Sequence, residues 1–296
     1  MSITLAAVTT QFLERQGLAK STQRSYELTL LPLLQLYGRW PIDIMDRLTF
    51  EDYLNSLTHL SYTTHRRHQA IIQSLLNFAL EAGYLKSNPI AQLRQRKPDY
   101  AKNEHSSDQI IRYLTPKQLK MLYQVTVADY RMSALIHLLH RSGARISEVL
   151  ALDFVAVDLK ERKFQVIGKG NKYRWCFFSA DAAQAIEKYA RTYRHSSNTA
   201  LFTAEHRFSG QITRMSYHTA YQHWIKLTRP VPELAGIRLH DLRHTFATER
   251  VGLMGLEELR ALMGHENIQT TLRYQKVTSR RAETVAHKAL DLLISS

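Results

Sequence analysis

The stretch Leu239–Tyr274, LHDLRHTFATERVGLMGLEELRALMGHENIQTTLRY, combines two helix-forming runs with imidazole, guanidinium and phenol side chains. His240 and Arg243 are three residues apart, so a helix would project both from one face. A second predicted helix is followed by His265, and Tyr274 comes nine residues later. These groups are suited to hold a phosphodiester, to neutralise its developing charge and to attack it with a phenolic oxygen.

The composition is strongly basic. The chain has 40 Lys and Arg residues against 26 Asp and Glu residues, a formal net charge of +14. Such an excess is typical of proteins that bind polyanions. Basic residues outnumber acidic ones both in residues 1–98 and in residues 99–296, which excludes a basic tail on a neutral domain. We therefore expect both parts of the chain to bind duplex DNA, although composition alone also allows a merely basic soluble protein.

The single cysteine, Cys176, excludes an internal disulfide and is typical of a reducing compartment. The N-terminal residues lack the basic start, the long apolar run and the small-residue cleavage site of a secretory signal. We see no segment that is apolar over the length needed to span a membrane. We expect a soluble, cytoplasmic protein in which Cys176 has no chemical role.

The apolar pattern predicts two domains. Helical spacing predicts a helical domain over residues 1–98, a polar linker over residues 99–112 and a second domain over residues 113–296. Pro32 falls inside a predicted helix, which it should kink or split.

The longest predicted helix runs from about Tyr62 to Ala82, with Ser61 as its N-cap. Its first turns carry Arg66 and Arg67 between two histidines, and its later turns are apolar. The first turns are therefore suited to contact DNA phosphates or base edges, and the later turns to pack in a core. A solvated charged turn is the alternative for Arg66 and Arg67.

Alternating residues predict two strands over residues 163–167 and 172–178, joined by a Gly-Lys-Gly-Asn turn. We expect an antiparallel hairpin with Lys169 at its tip. Lys172 and Arg174 lie on the return strand, where they fit either phosphate contacts or solvated charges.

A second arginine segment lies upstream, in SGARISEVLAL. Arg145 follows a glycine turn, and Glu148 comes one helical turn later. Arg145 and Arg243 together offer two planar sets of donors, which is the geometry that suits the non-bridging oxygens of a phosphate.

Four segments together resemble the tyrosine recombinases of the integrase family. In chain length and in the residues of these segments, the resemblance is to the Xer-type, single-chain bacterial members in particular. They are GARISE (143–148), GKGNK (168–172), HDLRH (240–244) and the segment 264–274. Their order and separations also agree, including 24 residues from Arg145 to Lys169. The resemblance is clear across residues 115–276 and is limited to a helical pattern across residues 1–98.

The resemblance implies a mainly α catalytic domain with a small antiparallel β-sheet or hairpin, an α+β fold, after an N-terminal helical, SAM-like core-binding domain. It implies that Tyr274 attacks the scissile phosphate and leaves a 3′-phosphotyrosyl bond and a free 5′-hydroxyl. A phenol has an unperturbed pKa of about 10 and needs help to lose its proton, for which His240 is the candidate general base.

The same resemblance assigns the remaining roles. Arg145 and Arg243 would stabilise the charge of the transition state, with His265 as a further donor. Lys169 would protonate the departing 5′-oxygen, and Glu148 would orient Arg145.

We expect neither a metal nor a cofactor. His240 and His244 form an i, i+4 pair of the kind that binds zinc, but there is no intervening Glu of the metalloprotease kind and no obvious third ligand. We therefore interpret His244 as a structural, hydrogen-bonded residue. The covalent link to the enzyme conserves the phosphodiester bond energy, so rejoining needs neither ATP nor a metal.

The last segment, Ser279–Ser296, has the apolar periodicity of an amphipathic helix. It is either a plain core helix or, as the resemblance implies, a helix that docks into a neighbouring subunit of a homo- or hetero-tetramer on DNA.

The sequence thus predicts a site-specific DNA recombinase that acts through a Holliday junction. A type IB topoisomerase-like strand-passage enzyme and a non-catalytic DNA-binding protein are the alternatives. Chromosome dimer resolution, integration or excision of a mobile element, and transposon resolution all remain open as the biological role.

Overall fold

The computed structural model describes residues 2–102, 104, 111–168, 172–206, 209–275, 287, 290, 291 and 294. The chain divides into two compact units, Met1–Ile110 and Ile111–Ser296. The division falls inside the segment predicted as a linker.

The described part of the first unit is helical. Its core is formed by apolar residues at helical spacing, among them Leu5, Phe12 and Ile72, which are fully buried. Its elements are α1 (Leu5–Glu14), α2 (Lys20–Tyr37), α3 (Arg47–Ser56) and α4 (Tyr62–Glu81), with short 3₁₀ turns at Ile42–Ile44 and Tyr100–Lys102.

The helix α4 begins as predicted, because the Ser61 hydroxyl accepts a hydrogen bond from the backbone N–H of Thr64. The carboxylate of Glu104 adds a second cap, since it accepts the N–H of Tyr62 at 2.9 Å and is paired with Arg96. The first residues of the predicted linker therefore fold back onto the first unit.

Pro32 was predicted to kink or split its helix, and the helix is not split, because α2 continues from Lys20 to Tyr37. Proline removes the hydrogen bond to the carbonyl of Leu28. The side chain of Leu28 is 62% exposed, so this carbonyl lies on the solvent side of the helix, where water can hydrate it.

The second unit is mainly helical with two small antiparallel sheets. The predicted fold class, mainly α with a small antiparallel sheet, is confirmed. The described elements are α5 (Pro116–Thr126), α6 (Tyr130–Ser142), α7 (Ile146–Ala151), β1 (Val157–Asp158), β2 (Lys163–Ile167), β3 (Tyr173–Phe177), α8 (Ala180–Thr192), β4 (Thr203–Glu205), β5 (Ile212–Arg214), α9 (Tyr217–Thr228), α10 (Asp241–Arg250), α11 (Leu256–Met263) and α12 (Ile268–Leu272).

The predicted hairpin is present as β2 and β3, which pair antiparallel with Val166 opposite Arg174, and β1 extends the sheet on the other side of β2. The tip, residues 169–171 with Lys169, lies outside the described residues. The helix predicted over Ser279–Ser296 also lies almost wholly outside them.

The core of the second unit surrounds α6, whose residues Leu135, Ile136 and Leu138 are fully buried. The helix packs against α5, α8, α9 and α10. The helix α6 therefore connects the turn that carries Arg145, which follows its C-terminus, to α10, which carries Arg243. Within the described residues, no helix is both long and apolar enough to cross a membrane.

Candidate active site

The first of the two predicted catalytic arginines, Arg145, is placed by a glycine turn. Gly143 ends α6 with a φ of 64°, and a Cβ at this position would lie 2.4 Å from the ring of Phe246. Only glycine accepts both the left-handed backbone and this close approach. The chain then turns into α7, with Arg145 at the N-cap.

Arg145 is held from two sides. Its Nη1 donates to Oε1 of Glu148 at 2.9 Å, and its Nη2 donates to the carbonyl of Gly264 at 3.3 Å. The Glu148 carboxylate also accepts the backbone N–H of Arg145. The side chain of Arg145 stays 35% exposed, so part of its guanidinium faces the pocket.

Arg243, on the first turn of α10, is 3% exposed. Its guanidinium donates to the carbonyls of Gly143 and Met263, which fixes the end of α6 and the end of α11 around it. Burial, together with the positive charges of Arg145 and Arg174, lowers its pKa to about 10. It remains a cation at neutral pH.

His265 follows Gly264, which ends α11 with a φ of 61°. Its Nδ1 lies 2.9 Å from the hydroxyl of Thr271, which is fully buried in α12. Burial and the nearby arginines lower the pKa of His265 to about 3, so the ring is neutral at pH 7. When the threonine hydroxyl donates to Nδ1, Nε2 carries the proton and can donate to an anion.

Tyr274 is 3% exposed, and its ring is parallel to that of His265 with 6.3 Å between centroids. Its hydroxyl lies 2.9 Å from Nδ1 of His244. Burial raises the pKa of Tyr274, while the positive charges of Arg243, Arg273 and Arg145 act to lower it. The phenol is therefore protonated at neutral pH and needs an acceptor for its proton.

These side chains surround one small cavity of about 250 Å³ in the second unit. Five of the six predicted catalytic residues line it, and the sixth, Lys169, lies outside the described residues. The lining residues are Ile111, Arg145, His240, Arg243, His244, His265, Thr270, Arg273 and Tyr274.

The histidine that contacts Tyr274 is His244, whereas the base expected from the sequence is His240. The His240 ring instead packs edge-on against His244, with 4.7 Å between ring centroids. Desolvation, followed by the charge of Arg243, lowers the pKa of His240. Desolvation lowers the pKa of His244 to about 4, so this ring is neutral and able to accept a proton at pH 7. The i, i+4 spacing of the two histidines places both on one helix face, but the spacing alone does not indicate which ring reaches Tyr274.

The sequence allowed either a phosphate contact or a solvated charge for Arg174, and the structure shows its guanidinium paired with protein acceptors. Its side chain is 10% exposed, and its guanidinium donates to both oxygens of Glu148 and to the carbonyl of Leu262. A strand next to the active site points every other residue inward, and Arg174 is on the inward face, as Cys176 is. Lys172 comes just before this strand and is exposed, so its predicted contact is sterically open.

The basic residues predicted on α4 lie in the first unit. Arg66 is half-buried, and Arg67 is exposed and donates to the backbone carbonyl and hydroxyl of Ser25. Among the residues that the structure describes, there is no cluster of three or more His, Cys, Asp or Glu side chains that could hold a metal ion.

Comparison with known proteins identifies relatives of similar length. Tyrosine recombinase XerC of Staphylococcus haemolyticus (strain JCSC1435) is 26% identical over 258 residues, which cover 82% of this chain and 82% of that protein. Tyrosine recombinase XerC of Roseiflexus castenholzii (strain DSM 13941 / HLO8) is 28% identical over 298 residues, 93% of this chain and 90% of that protein.

Solved structures share the fold. The Tn1549 transposon integrase (aa 82-397) in complex with circular intermediate DNA superposes with a TM-score of 0.72 at 19% identity, over 92% of this chain and 95% of that chain. A lambda integrase(75-356) dimer bound to a COC' core site gives a TM-score of 0.71 at 13% identity, with the same coverage of both chains.

The match to the phage integrase family extends over residues 112–281 and includes every described side chain of the pocket except Ile111. Because this match spans more than half of the chain, and because the relatives are Xer tyrosine recombinases, the protein belongs to the phage integrase family, as its four sequence segments predicted.

Proposed function

We propose that this protein is a site-specific DNA recombinase that cuts and rejoins duplex DNA through a 3′-phosphotyrosyl intermediate and a Holliday junction. The observation that carries the proposal is the hydroxyl of Tyr274 in a small pocket shared with Arg145, Arg243 and His265. A phenol, two guanidinium groups and a neutral imidazole donor are what the transfer of a phosphodiester to a tyrosine requires.

In the proposed reaction, the Tyr274 oxygen forms a bond to the scissile phosphorus as the bond to the 5′-oxygen breaks. The phenolic proton passes to Nδ1 of His244, the nitrogen in hydrogen-bond contact with it. The departing 5′-oxygen takes a proton from Lys169. Rejoining is the reverse, with a 5′-hydroxyl as nucleophile and Tyr274 as leaving group.

The two arginines have complementary positions in this scheme. Arg243 is buried and hydrogen-bonded to two backbone carbonyls, so it serves as a fixed positive charge. Arg145 is partly exposed and offers hydrogen-bond donors to the non-bridging oxygens. His265 donates from Nε2, and His240, which also lines the pocket, is available as a further donor.

DNA is the proposed partner, and the net charge of +14 supports it. Lys172, Arg66 and Arg67 are the proposed contacts outside the pocket. If about six phosphates are bound, affinity should fall roughly a thousandfold between 50 and 200 mM salt. An affinity that stays constant over this range would contradict an electrostatic DNA interface.

A type IB topoisomerase-like enzyme could use the same pocket without pairing two DNA sites. The two activities differ on plasmid substrates. The target site is first mapped by sequencing the genomic fragments that the protein retains. Supercoiled plasmids are then made with one copy, two copies or no copy of this site. A recombinase exchanges strands only on the two-site plasmid, whereas efficient relaxation of the plasmid without a site would support the topoisomerase.

We further propose that the chain forms a homo- or hetero-tetramer on DNA through its C-terminal segment. The second unit carries a groove of about 580 Å³ with largely apolar walls, which matches the apolar periodicity of residues 279–296. The groove lies between α5, α6 and the end of α10. It is lined by Pro116, Leu119, Lys120, Tyr123, Gln124, Val127, Ser133, His137, His140, Arg141 and Glu249.

Deletion of the residues after Lys276 tests this assembly. The truncated protein should still bind a single site but should no longer form synaptic complexes or exchange strands in a regulated way. Tetramers that persist after the deletion would make the segment purely intramolecular. We also propose a cytoplasmic location, which the single, buried thiol of Cys176 supports.

A further inference from the structure

A charged cluster next to the pocket has three members, Glu148, Arg174 and Arg145. The side chains of Glu148 and Arg174 are 8% and 10% exposed. Arg174 donates from Nη1 to Oε1 of Glu148 at 2.9 Å and from Nη2 to Oε2 at 2.6 Å, a two-pronged pairing that only a guanidinium provides.

The Glu148 carboxylate is shared between two arginines. Besides Arg174, it accepts Nη1 of Arg145 at 2.9 Å and the backbone N–H of Arg145 at 2.7 Å. The orientation of Arg145 therefore depends on a carboxylate whose other side is occupied by Arg174.

Arg174 also reaches the turn that carries His265. Its Nε donates to the carbonyl of Leu262 at 3.1 Å. Its side chain packs so closely on Gly264 that a Cβ there would lie 2.9 Å from Cδ of Arg174. The carbonyl of Gly264 is in turn an acceptor for Nη2 of Arg145.

We propose that Arg174 is a positioning residue for the strand-cleavage reaction. It neutralises Glu148 and fixes the Gly264 turn, and through these two acceptors it sets the direction in which Arg145 presents its remaining donors to the scissile phosphate. The inference rests on the proposed function, because it assigns Arg174 to the same reaction.

The charges explain why one carboxylate needs both arginines. With Arg145 as its single cation, the buried carboxylate would hold that guanidinium more tightly and leave fewer of its donors for the phosphate. With Arg174 present, Glu148 is already paired on one side, and Arg145 can contact the carboxylate and keep part of its guanidinium free for substrate. The substitution Arg174→Met should therefore harm the reaction by leaving Glu148 to pair with Arg145 alone.

This origin of the defect gives a specific test. Single-turnover cleavage of a nicked DNA that carries the mapped site, and DNA affinity, are measured for the wild type, Arg174→Met, Glu148→Gln and the double variant. Arg174→Met should slow cleavage on the order of a hundredfold, with DNA affinity changed by less than about threefold. The double variant should regain roughly tenfold, because the neutral amide introduced by Glu148→Gln competes less with the phosphate for Arg145 and still offers it an oxygen.

Two further variants complete the design. Arg174→Lys keeps the charge but loses the two-pronged pairing, so it should lie between the wild type and Arg174→Met. Arg191→Met removes an exposed arginine paired with Glu187 on α8 and should cleave as the wild type does.

The outcomes separate the alternatives. A fall in DNA affinity that accounts for the loss of cleavage would make Arg174 a DNA contact and would overturn the proposal. Additive defects in the double variant, or cleavage by Arg174→Met at the wild-type rate, would also overturn it. If the wild type itself forms no covalent adduct, the proposed function fails instead, and this result is distinct from all of the others.

Discussion

Nδ1 of His244 lies 2.9 Å from the hydroxyl oxygen of Tyr274. The two residues are 30 positions apart in the chain, and the turn from α11 into α12 brings them together. Because His244 is neutral and Tyr274 protonated at pH 7, the pair has the protonation states that a base and a nucleophile need before the reaction.

The first prediction concerns this pair. His244→Gln keeps a polar side chain but cannot take up the phenolic proton, so single-turnover cleavage should fall about a hundredfold or more. His240→Gln should have a smaller effect, because the His240 ring contacts His244 rather than Tyr274. The measurement is the rate of adduct formation at saturating enzyme. A larger defect in His240→Gln would return the role of base to His240.

The second prediction concerns pH and stability. The pKa of His265 is lowered to about 3 and that of His244 to about 4, whereas both are near 6.5 in an unfolded chain. At pH values between the folded and unfolded pKa values, the unfolded state therefore binds more protons than the folded state. The free energy of unfolding consequently falls as pH falls below about 6.5. Glu148 contributes little at pH 5, because burial raises its pKa but the hydrogen bonds from Arg174 and Arg145 outweigh burial and lower it, so the effect of this carboxyl falls mainly at lower pH.

Thermal unfolding at pH 7.5 and pH 5.0 measures this effect. The wild type should lose stability at the lower pH, up to about 1 kcal/mol for each histidine once partial solvent screening is allowed for. His265→Gln should lose less between the two pH values than the wild type does. Equal losses in the two proteins would show that His265 is not held neutral by the fold.

The third prediction concerns Gly264. Its φ of 61° disfavours any other residue, and an added Cβ would press on Arg174. Gly264→Ala should cost about 1 to 2 kcal/mol for the backbone alone and more for the contact. Cleavage should also slow, because the Gly264 carbonyl is an acceptor for Arg145.

Gly236→Ala is the matched control. Gly236 has a φ of 79° but no atom within 4 Å of an added Cβ, so this variant carries the backbone strain without the contact. The difference in unfolding free energy between the two variants measures the packing of Arg174 on the turn. Equal stability and equal cleavage rates would contradict that packing.

The sequence was sufficient for the parts of the site that depend on local geometry. Glycine turns next to Arg145 and His265 and the spacing of His240 and Arg243 are short-range patterns, and the pocket contains all four residues. The family resemblance then supplied Tyr274, which composition alone could not single out among 15 tyrosines. The family is confirmed by the match over residues 112–281.

What the sequence could not provide depends on contacts between distant segments. Arg174 looked like a solvated or DNA-binding charge, because nothing in its own strand reveals that Glu148, 26 residues earlier, turns towards it. The contact of the Thr271 hydroxyl with His265 and the contact of His244 with Tyr274 could not be predicted for the same reason. Tertiary packing decides which nitrogen meets which oxygen, and a pattern of spacings contains no such information.

The central claim is that Tyr274 is the nucleophile. The direct measurement is the yield of SDS-resistant protein–DNA adduct on a nicked suicide substrate that carries the mapped site, for the wild type and for Tyr274→Phe. The account predicts an adduct through a 3′-phosphate with the wild type and none with Tyr274→Phe, which loses only the hydroxyl. An adduct of equal yield with Tyr274→Phe, or no adduct with the wild type on a substrate that it binds, would contradict it.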